Sequence, residues 1–171
     1  MAFNIEDYIR DIKDFPKPGI VFKDITPLLA DAYALKETTK QLLQLVPDQV
    51  DKVIGIEARG FFFGTLLAEH LNAGFVPIRK PGKLPYKTYS EDYELEYGTD
   101  SLSMHIDAIK PGEKVLIHDD VLATGGTAEA VAKLVEKAGG EVVMINFLIE
   151  LSFLKGRNKL ANYNVSSLIK Y

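Results

Sequence analysis

Apolar residues recur along the chain with two different spacings, and each spacing predicts one kind of secondary structure. From residue 5 to residue 12 an apolar side chain follows at every third or fourth position, which predicts a helix with Asn4 as its N-cap. Residues 20–29 are predicted to form an extended segment that Thr26-Pro27 ends. A second amphipathic helix is predicted for residues 32–46.

Beyond residue 50, short apolar runs alternate with amphipathic stretches. The predicted strands are residues 52–56, 75–78, 101–106, 114–118 and 141–148, with a last, peripheral strand at 164–169, and the predicted helices are residues 60–71 and 126–138. Strands separated by helices favour an α/β fold with a mostly parallel sheet flanked by helices. No repeat or linker divides the chain, so we expect one domain over residues 1–171.

Residues 80–92 are polar, contain Pro81, Gly82 and Pro85, and show neither the helical nor the strand spacing of apolar residues. Such a loop inside a compact domain is more often a working lid than a passive connection. Ligands of parallel α/β sheets bind beyond the carboxyl ends of the strands. The candidate chemistry is therefore expected in residues 56–60 and 118–127.

Composition and charge narrow the possible functions. The chain has 171 residues, 47% of them hydrophobic and 26% charged, as in a globular protein. A net charge of −4 gives no general attraction for nucleic acid or an anionic membrane, so neither is an expected partner. The lack of cysteine excludes disulfides, thiolate catalysis and Cys-ligated zinc. Residues 1–14 do not resemble a signal peptide and no apolar run could span a bilayer, so a cytoplasmic location is expected.

The clearest chemical signal follows the strand at 114–118. Asp119 and Asp120 come directly after it, and a loop of small residues then leads into the helix at 126–138. Amides at a helix start and threonine hydroxyls donate to an anion, whereas carboxylates accept hydrogen bonds from hydroxyl groups. A ribose 5-phosphate meets both requirements, and its candidate ligands are Asp119, Asp120, Ala123, Thr124, Gly125, Gly126 and Thr127. The alternative is a loop that only caps the helix; the common dinucleotide and P-loop glycine patterns are both absent.

Residues 115–127, an apolar strand followed by two acidic residues and Ala-Thr-Gly-Gly-Thr, resemble the phosphoribosyl pyrophosphate signature of the type I phosphoribosyltransferases. The resemblance continues in order from Phe15 to Arg157. It implies the type I phosphoribosyltransferase fold, with a hood over the base site formed by residues 1–30 and the segment after residue 150. It also implies a homodimer that transfers the 5-phosphoribosyl group of phosphoribosyl pyrophosphate to a purine, with Mg²⁺ carried by the substrate and no direct protein ligand to the metal.

Glu57-Ala58-Arg59-Gly60 links the strand at 52–56 to the next helix. Arg59 offers planar donors to phosphate oxygens, and Gly60 leaves backbone amides accessible; otherwise Arg59 would be a solvated surface residue. In the family the corresponding loop surrounds pyrophosphate, often through a non-proline cis peptide bond, which would lie at Glu57–Ala58. The resemblance implies that pyrophosphate is bound by Glu57, Ala58, Arg59, Gly60 and Lys83.

The polar loop resembles the mobile catalytic loop of the family. Residues 79–85, Arg-Lys-Pro-Gly-Lys-Leu-Pro, and residues 95–98, Leu-Glu-Tyr-Gly, correspond to its two edges. The resemblance implies that Lys83 neutralises the departing pyrophosphate and that Glu96 faces the reacting centre. Arg59, Lys83 and Glu96 are therefore the candidate catalytic residues. Taken alone, the same charges would indicate a solvated surface loop.

Residues 15–28 resemble the amino-terminal hood of the family members that use adenine. The resemblance implies that the Val21 carbonyl accepts from the 6-amino group, that the Lys23 amide donates to N1, and that Phe22 and Leu151 enclose the ring. A 6-oxopurine presents the opposite pattern at both atoms, which can cost a factor of about 10⁴ in discrimination. The alternative is that Phe22 and Leu151 are core residues.

Adenine is thus the expected substrate, and AMP and pyrophosphate are the expected products. One rival is a transferase for xanthine, hypoxanthine or orotate, against which the hood argues. The other is a non-catalytic regulator that binds nucleic acid, against which Lys83, Glu96 and the negative charge argue. The three histidines have no metal-ligand spacing: His70 and His105 are expected at the surface, and His118 is expected to have a structural role.

Overall fold

The computed structural model describes residues 3–94 and 98–171. The chain divides into two compact units, Met1–Gln44 and Leu45–Tyr171. The first unit contains the predicted hood residues 15–28, and the second contains the segments with the predicted phosphate chemistry. Within the described ranges, no helix has the length and apolar character needed to cross a membrane.

A short 3-10 helix, an antiparallel hairpin and two helices make up the first unit. Their bounds are Ile5–Tyr8 for the 3-10 helix, Arg10–Lys13 for β1, Val21–Asp24 for β2, Thr26–Ala30 for α1 and Ala32–Gln44 for α2. The Asn4 side chain accepts a hydrogen bond from the Glu6 amide, which confirms its predicted role as N-cap. The amphipathic helix predicted at 32–46 is confirmed as α2.

Two predictions for this unit are wrong. The helix predicted for residues 5–12 ends at Tyr8, because the chain then enters β1 and pairs with β2. The extended segment predicted for residues 20–29 ends at Asp24, and Thr26-Pro27 begins α1 rather than ending a strand. Proline suits the first turn of a helix, where its missing N–H would have no helical acceptor. The Asp24 side chain accepts from the Thr26 amide at 2.9 Å and so satisfies another donor there.

The second unit is an α/β unit with eleven elements among its described residues. They are β3 (Lys52–Ile56), α3 (Gly60–His70), β4 (Gly74–Ile78), β5 (Thr88–Glu94), β6 (Thr99–His105), β7 (Lys114–Leu122), α4 (Gly126–Lys137), β8 (Glu141–Glu150), two 3-10 helices (Ser152–Leu154 and Gly156–Leu160) and β9 (Val165–Lys170).

Five parallel strands form the central sheet in the order β4-β3-β7-β8-β9. Ile54 of β3 lies beside Ile117 of β7, and Ile145 of β8 lies beside Val165 of β9. The predicted α/β class with a mostly parallel sheet and flanking helices is therefore confirmed. The predicted last strand is an edge strand, as its peripheral position required.

Two strands are longer than predicted by two or more residues at their carboxyl ends, and one strand was not predicted. β7 continues past His118 to Leu122, so both acidic residues lie within the strand. β8 continues to Glu150. Part of the polar loop forms β5, which pairs with β6 in an antiparallel hairpin from Thr88↔His105 to Glu94↔Thr99. β5 was not predicted because its sequence is mostly polar and contains no apolar run.

Buried apolar side chains between the sheet and α4 form the core of the second unit, including Ile54, Ile117, Val131 and Phe147. Because β3 and β7 are parallel neighbours, their carboxyl ends meet at one edge of the sheet. The loops that follow them, which carry the two candidate phosphate segments, are thereby brought together.

Candidate active site

The acidic end of β7 lies at the centre of the site. Asp120 is only 3% exposed, and its Oδ2 lies 2.9 Å from Nε of Arg59, at the start of α3. The Asp119 side chain accepts from the Asp120 amide at 2.9 Å and lines a small pocket with the loop that follows. Two residues that the sequence assigned to different phosphate segments, Arg59 and Asp120, are thus in direct contact.

The two carboxyl groups are hard to ionise without a partner. Burial raises the pKa of Asp119 well above its usual value, and the charge of Asp120 raises it further. Burial also raises the pKa of Asp120, although the Arg59 charge opposes this effect. Hydrogen-bond donors such as sugar hydroxyls stabilise the ionised forms. The pair is therefore suited to binding a ligand that brings hydroxyl groups.

The loop after β7 has the geometry of an anion site. Gly125, with φ of +85°, is the N-cap of α4, a helix of 12 residues. The pocket beside it is lined by Asp119, Val121, Leu122, Ala123, Thr124, Gly125, Thr127, Ala128 and Phe147. The amides at the start of α4 and the positive end of its dipole favour a negatively charged group. The Asp119 carboxylate and an anion-binding loop therefore share one pocket.

The loop after β3 contains the non-proline cis peptide bond expected at Glu57–Ala58. Gly60 then begins α3 against the end of β7. A β-carbon at Gly60 would lie 2.8 Å from the His118 carbonyl oxygen and 3.0 Å from Oδ1 of Asp119. Glycine is needed here because any side chain would push the start of α3 away from β7.

Glu57 connects the loop after β3 to the start of the polar loop. Its Oε2 accepts from Nε of Arg79 at 3.0 Å and from the Lys80 amide at 2.8 Å. The hydrogen bond from Arg79 is the largest cause that lowers the pKa of Glu57. Lys83 is exposed in the turn that follows, and its charge also lowers this pKa. The cations of the polar loop thus begin beside the candidate pyrophosphate loop.

The hairpin of β5 and β6 has a polar cluster of its own. The Tyr93 phenol donates to Oδ2 of Asp100 at 3.2 Å, and Nζ of Lys80 lies 3.3 Å from the same oxygen. The pKa of Tyr93 is raised, chiefly by burial. Glu96, the predicted catalytic carboxylate, lies outside the described residues, so its role stays a prediction.

The predicted base-binding residues lie in both units. Val21, Phe22 and Lys23 form most of β2, where Val21 is exposed and the Lys23 ammonium lies 2.7 Å from Asp11. The Phe22 ring meets Phe15 edge to face, with centroids 5.2 Å apart. Leu151 follows β8 in the second unit. Their joint role at a base site remains a prediction.

Two side-chain pairings in the second unit were not predicted from the sequence. His118 is fully buried in β7, with Nδ1 2.8 Å from Oδ1 of Asn146, so its predicted structural role is confirmed, but its partner was not foreseen. Glu150 and Arg157 form a double hydrogen bond, and Gly156 beside Arg157 packs on residues 123–125, the loop between β7 and α4 that we call the anion loop. Residues 150–157 resemble the carboxy-terminal wall of the type I phosphoribosyltransferases, but that resemblance does not specify that these two side chains pair.

The donor set also bears on metal binding. No group of three or more His, Cys, Asp and Glu side chains converges on one point among residues 3–94 and 98–171. Asp119 and Asp120 are adjacent acidic residues near the end of β7, and Asp120 is engaged by Arg59. Such a set fits a hard cation that keeps substrate oxygens and water as its ligands.

Comparison with known families agrees with this geometry. The sequence model of the phosphoribosyl transferase domain matches residues 23–166, which include both loops and the whole central sheet except the last residues of β9. The chain therefore belongs to the phosphoribosyltransferase family.

Its relatives specify the group within that family. The adenine phosphoribosyltransferase of Christiangramia forsetii is 62% identical over 168 residues, which cover 98% of each chain. The Rhodothermus marinus adenine phosphoribosyltransferase is 56% identical in sequence. Its crystal structure matches this one with a TM-score of 0.93 over 98% of this chain and 96% of that one. The Saccharomyces cerevisiae enzyme, solved with an imino-altritol bisphosphate and adenine, is 39% identical, with a TM-score of 0.89 over 95% of each chain.

Proposed function

We propose that this enzyme transfers the 5-phosphoribosyl group of phosphoribosyl pyrophosphate to adenine, giving AMP and pyrophosphate in purine salvage. The observation that carries the proposal is the shared pocket of Asp119 and the loop before α4, beside the loop of Arg59. A relative that is 62% identical over 98% of the chain is an adenine phosphoribosyltransferase, which supports adenine as the base.

The 5-phosphate of the substrate is bound mainly by backbone amides. The amides of residues 123–127 and the hydroxyls of Thr124 and Thr127 donate to the 5-phosphate at the start of α4. Asp119 and Asp120 accept from the ribose hydroxyls, which favours their ionised forms despite burial. The positive charge of Arg59 balances the Asp120 carboxylate before the substrate binds. The charged groups that contact the ribose are therefore preorganised.

The reaction breaks the C1′–O bond, and the electron pair leaves with pyrophosphate. Nitrogen N9 of adenine donates its pair to C1′, and the proton that N9 loses passes to the carboxylate of Glu96, the candidate general base. Arg59, Lys83 and the amides of residues 57–60 bind the leaving group, whose negative charge grows as the bond breaks. Mg²⁺ carried by the substrate would supply further positive charge to the leaving group. The ribose passes through an oxocarbenium-like state, so the polar loop must exclude water.

Base selection is assigned to β2 and the segment after β8. The Val21 carbonyl accepts from the 6-amino group, the Lys23 amide donates to N1, and Phe22 and Leu151 enclose the ring. This part of the proposal includes a hood from residues 1–30 and the segment after residue 150, within a single functional domain. The working enzyme is proposed to be a cytoplasmic homodimer.

A substrate panel tests the function directly. Labelled adenine, guanine, hypoxanthine and xanthine are each offered with phosphoribosyl pyrophosphate and Mg²⁺, and pyrophosphate release is measured. Only adenine is expected to be converted at a substantial rate, since a 6-oxopurine mismatch can cost about 10⁴-fold. Faster conversion of another purine would assign the enzyme to that base. A gel shift without turnover of any base would instead favour the nucleic-acid-binding regulator.

The role of Asp119 predicts a selective loss in Asp119→Asn. Losing the carboxylate charge weakens a hydrogen bond worth about 1.5–3 kcal/mol, so affinity for phosphoribosyl pyrophosphate should fall by about 10- to 100-fold. Asp107→Asn, which removes one charge from an exposed turn, is the matched control. Steady-state kinetics measure kcat and the KM for phosphoribosyl pyrophosphate in both variants. Unchanged constants in Asp119→Asn would show that Asp119 does not bind the substrate.

The role of Glu96 predicts a turnover defect in Glu96→Gln. A group that acts on the reacting centre lowers kcat more than it raises KM when its charge is removed, because its interaction is made in the transition state. Glu94→Gln changes an exposed glutamate two residues earlier and should retain wild-type turnover. Equal kcat in the two variants would show that Glu96 has no catalytic role.

A further inference from the structure

Residues 151–156 run from the end of β8 to Gly156, the first residue of the 3-10 helix Gly156–Leu160, and they contact both the anion loop and the last residue of β7. We call this segment the wall loop. At its start, the Leu151 amide donates to the Leu122 carbonyl at 2.9 Å, directly before Ala123. At its end, Gly156 lies against the backbone of Ala123 and Gly125. One short loop therefore contacts the residue directly before the anion loop and the first and last residues of the anion loop itself.

The contact at Gly156 is backbone against backbone. A β-carbon at Gly156 would lie 2.3 Å from the Ala123 carbonyl oxygen, and one at Gly125 would lie 2.4 Å from the Gly156 carbonyl oxygen. Neither position has room for a methyl group, and neither neighbour is a flexible side chain. A shift of Gly156 by a few tenths of an ångström would therefore move the anion loop.

The two ends of the wall loop are tied by Glu150 and Arg157. Nε and Nη2 of Arg157 donate to the two Glu150 carboxylate oxygens at 2.7 and 2.8 Å. Arg157 also donates to the Val165 carbonyl at 2.9 Å and to the Ser167 hydroxyl at 3.3 Å, which fixes it to β9. Glu150 is 5% exposed and accepts a further bond from Ser167 at 2.5 Å. Such a bidentate pair fixes direction as well as distance.

We propose that Glu150 and Arg157 are positioning residues that hold the wall loop, and through it set the geometry of the anion loop and of Leu151. The proposal rests on the proposed function, which places the 5-phosphate at the anion loop and the base at Leu151. The pair touches neither ligand. It acts on the ribose 5-phosphate and base side of the site, whereas pyrophosphate is bound by the separate loop of residues 57–60.

Arg157→Lys tests this assignment because lysine keeps the positive charge but cannot donate two parallel hydrogen bonds to the Glu150 carboxylate. Calorimetry on the full chain measures the Kd of ribose 5-phosphate, AMP and Mg²⁺-pyrophosphate. Ribose 5-phosphate is expected to bind about tenfold more weakly, and AMP at least as much, since it also uses Leu151. Pyrophosphate affinity is expected to change by less than about twofold. Glu150→Gln removes the charge from the other side and should give the same selectivity.

Tyr163→Phe is the matched control for a loss of stability alone. It removes the 2.8 Å hydrogen bond to Glu136, near the far end of α4 from the anion loop. Its thermal midpoint is expected to fall while all three Kd values stay unchanged. Equal weakening of all ligands in Arg157→Lys, or unchanged binding with only a lower midpoint, would overturn the positioning role. If wild type binds ribose 5-phosphate but does not convert adenine, the proposed function fails while the binding comparison still decides this inference.

Discussion

Gly125→Ala is expected to lower kcat/KM for phosphoribosyl pyrophosphate by about a thousandfold, equivalent to losing about two charge-assisted hydrogen bonds to the 5-phosphate. Gly125 has φ of +85°, where a β-carbon is strained, and that β-carbon would lie 2.4 Å from the Gly156 carbonyl oxygen. The clash is with backbone, so the loop itself must move. The amides of residues 123–127 would then no longer converge on one anion.

Gly112→Ala separates the strain from the clash. Gly112 has φ of +82°, nearly the same as Gly125, but no atom lies within 4 Å of the position of its β-carbon. It precedes β7, at the other end of the strand from the site. This control should lose about 1 kcal/mol of stability and keep its kinetic constants. A Gly125→Ala enzyme with kinetics like those of Gly112→Ala would mean that the loop does not bind the 5-phosphate.

The sequence predicted the second unit far better than the first. The run at 52–56 and the helix starts at Gly60 and Gly126 agree with the structure, because buried parallel strands and glycine-opened helices have strong local signals. Residues 5–12 satisfied a helical period, yet residues 10–13 form β1 because pairing with β2 provides their backbone partners. Tertiary pairing overrode the local period there.

Prediction of the site was limited in a different way. Motif order identified Asp119, Asp120, Arg59 and the glycine-rich loop as a group, and parallel pairing of β3 and β7 brings these residues to one edge. The contact of Arg59 with Asp120 depends on how two side chains from separate loops meet, and no local pattern specifies that. The wall loop could not be predicted for the same reason, since its effect depends on backbone contacts between Gly156 and residues 123–125.

His118 shows how a buried group next to the site affects the whole fold. The bond from Nδ1 to Oδ1 of Asn146 requires the neutral ring to carry its proton on Nδ1. Protonation would add a hydrogen at Nε2, which has no hydrogen-bond partner among the residues that the structure describes. Burial accordingly lowers the pKa of His118 from 6.5 to about 4, with the Asn146 bond opposing the shift.

This lowered pKa predicts a loss of stability in acid. Below pH 6.5 the unfolded chain binds a proton at His118, while the folded chain binds it only near pH 4. The contribution to the free energy of unfolding is therefore fully present above pH 6.5, declines as the pH falls, and levels off once the folded form is protonated. Its size is about 3 kcal/mol for a shift of this extent. The raised pKa values of Asp119 and Asp120 have the opposite effect, because their ionisation lowers the free energy of unfolding as the pH rises.

Comparison of wild type with His118→Gln isolates the histidine. Glutamine can still donate to Asn146 but does not titrate, and both proteins keep the two aspartates, whose effects cancel in the difference. Urea unfolding at about pH 7 and about pH 4 should show that wild type loses about 3 kcal/mol more than the variant over this range. Parallel losses in the two proteins would mean that His118 is protonated in the fold with an ordinary pKa, and that the buried pair with Asn146 does not select the neutral ring.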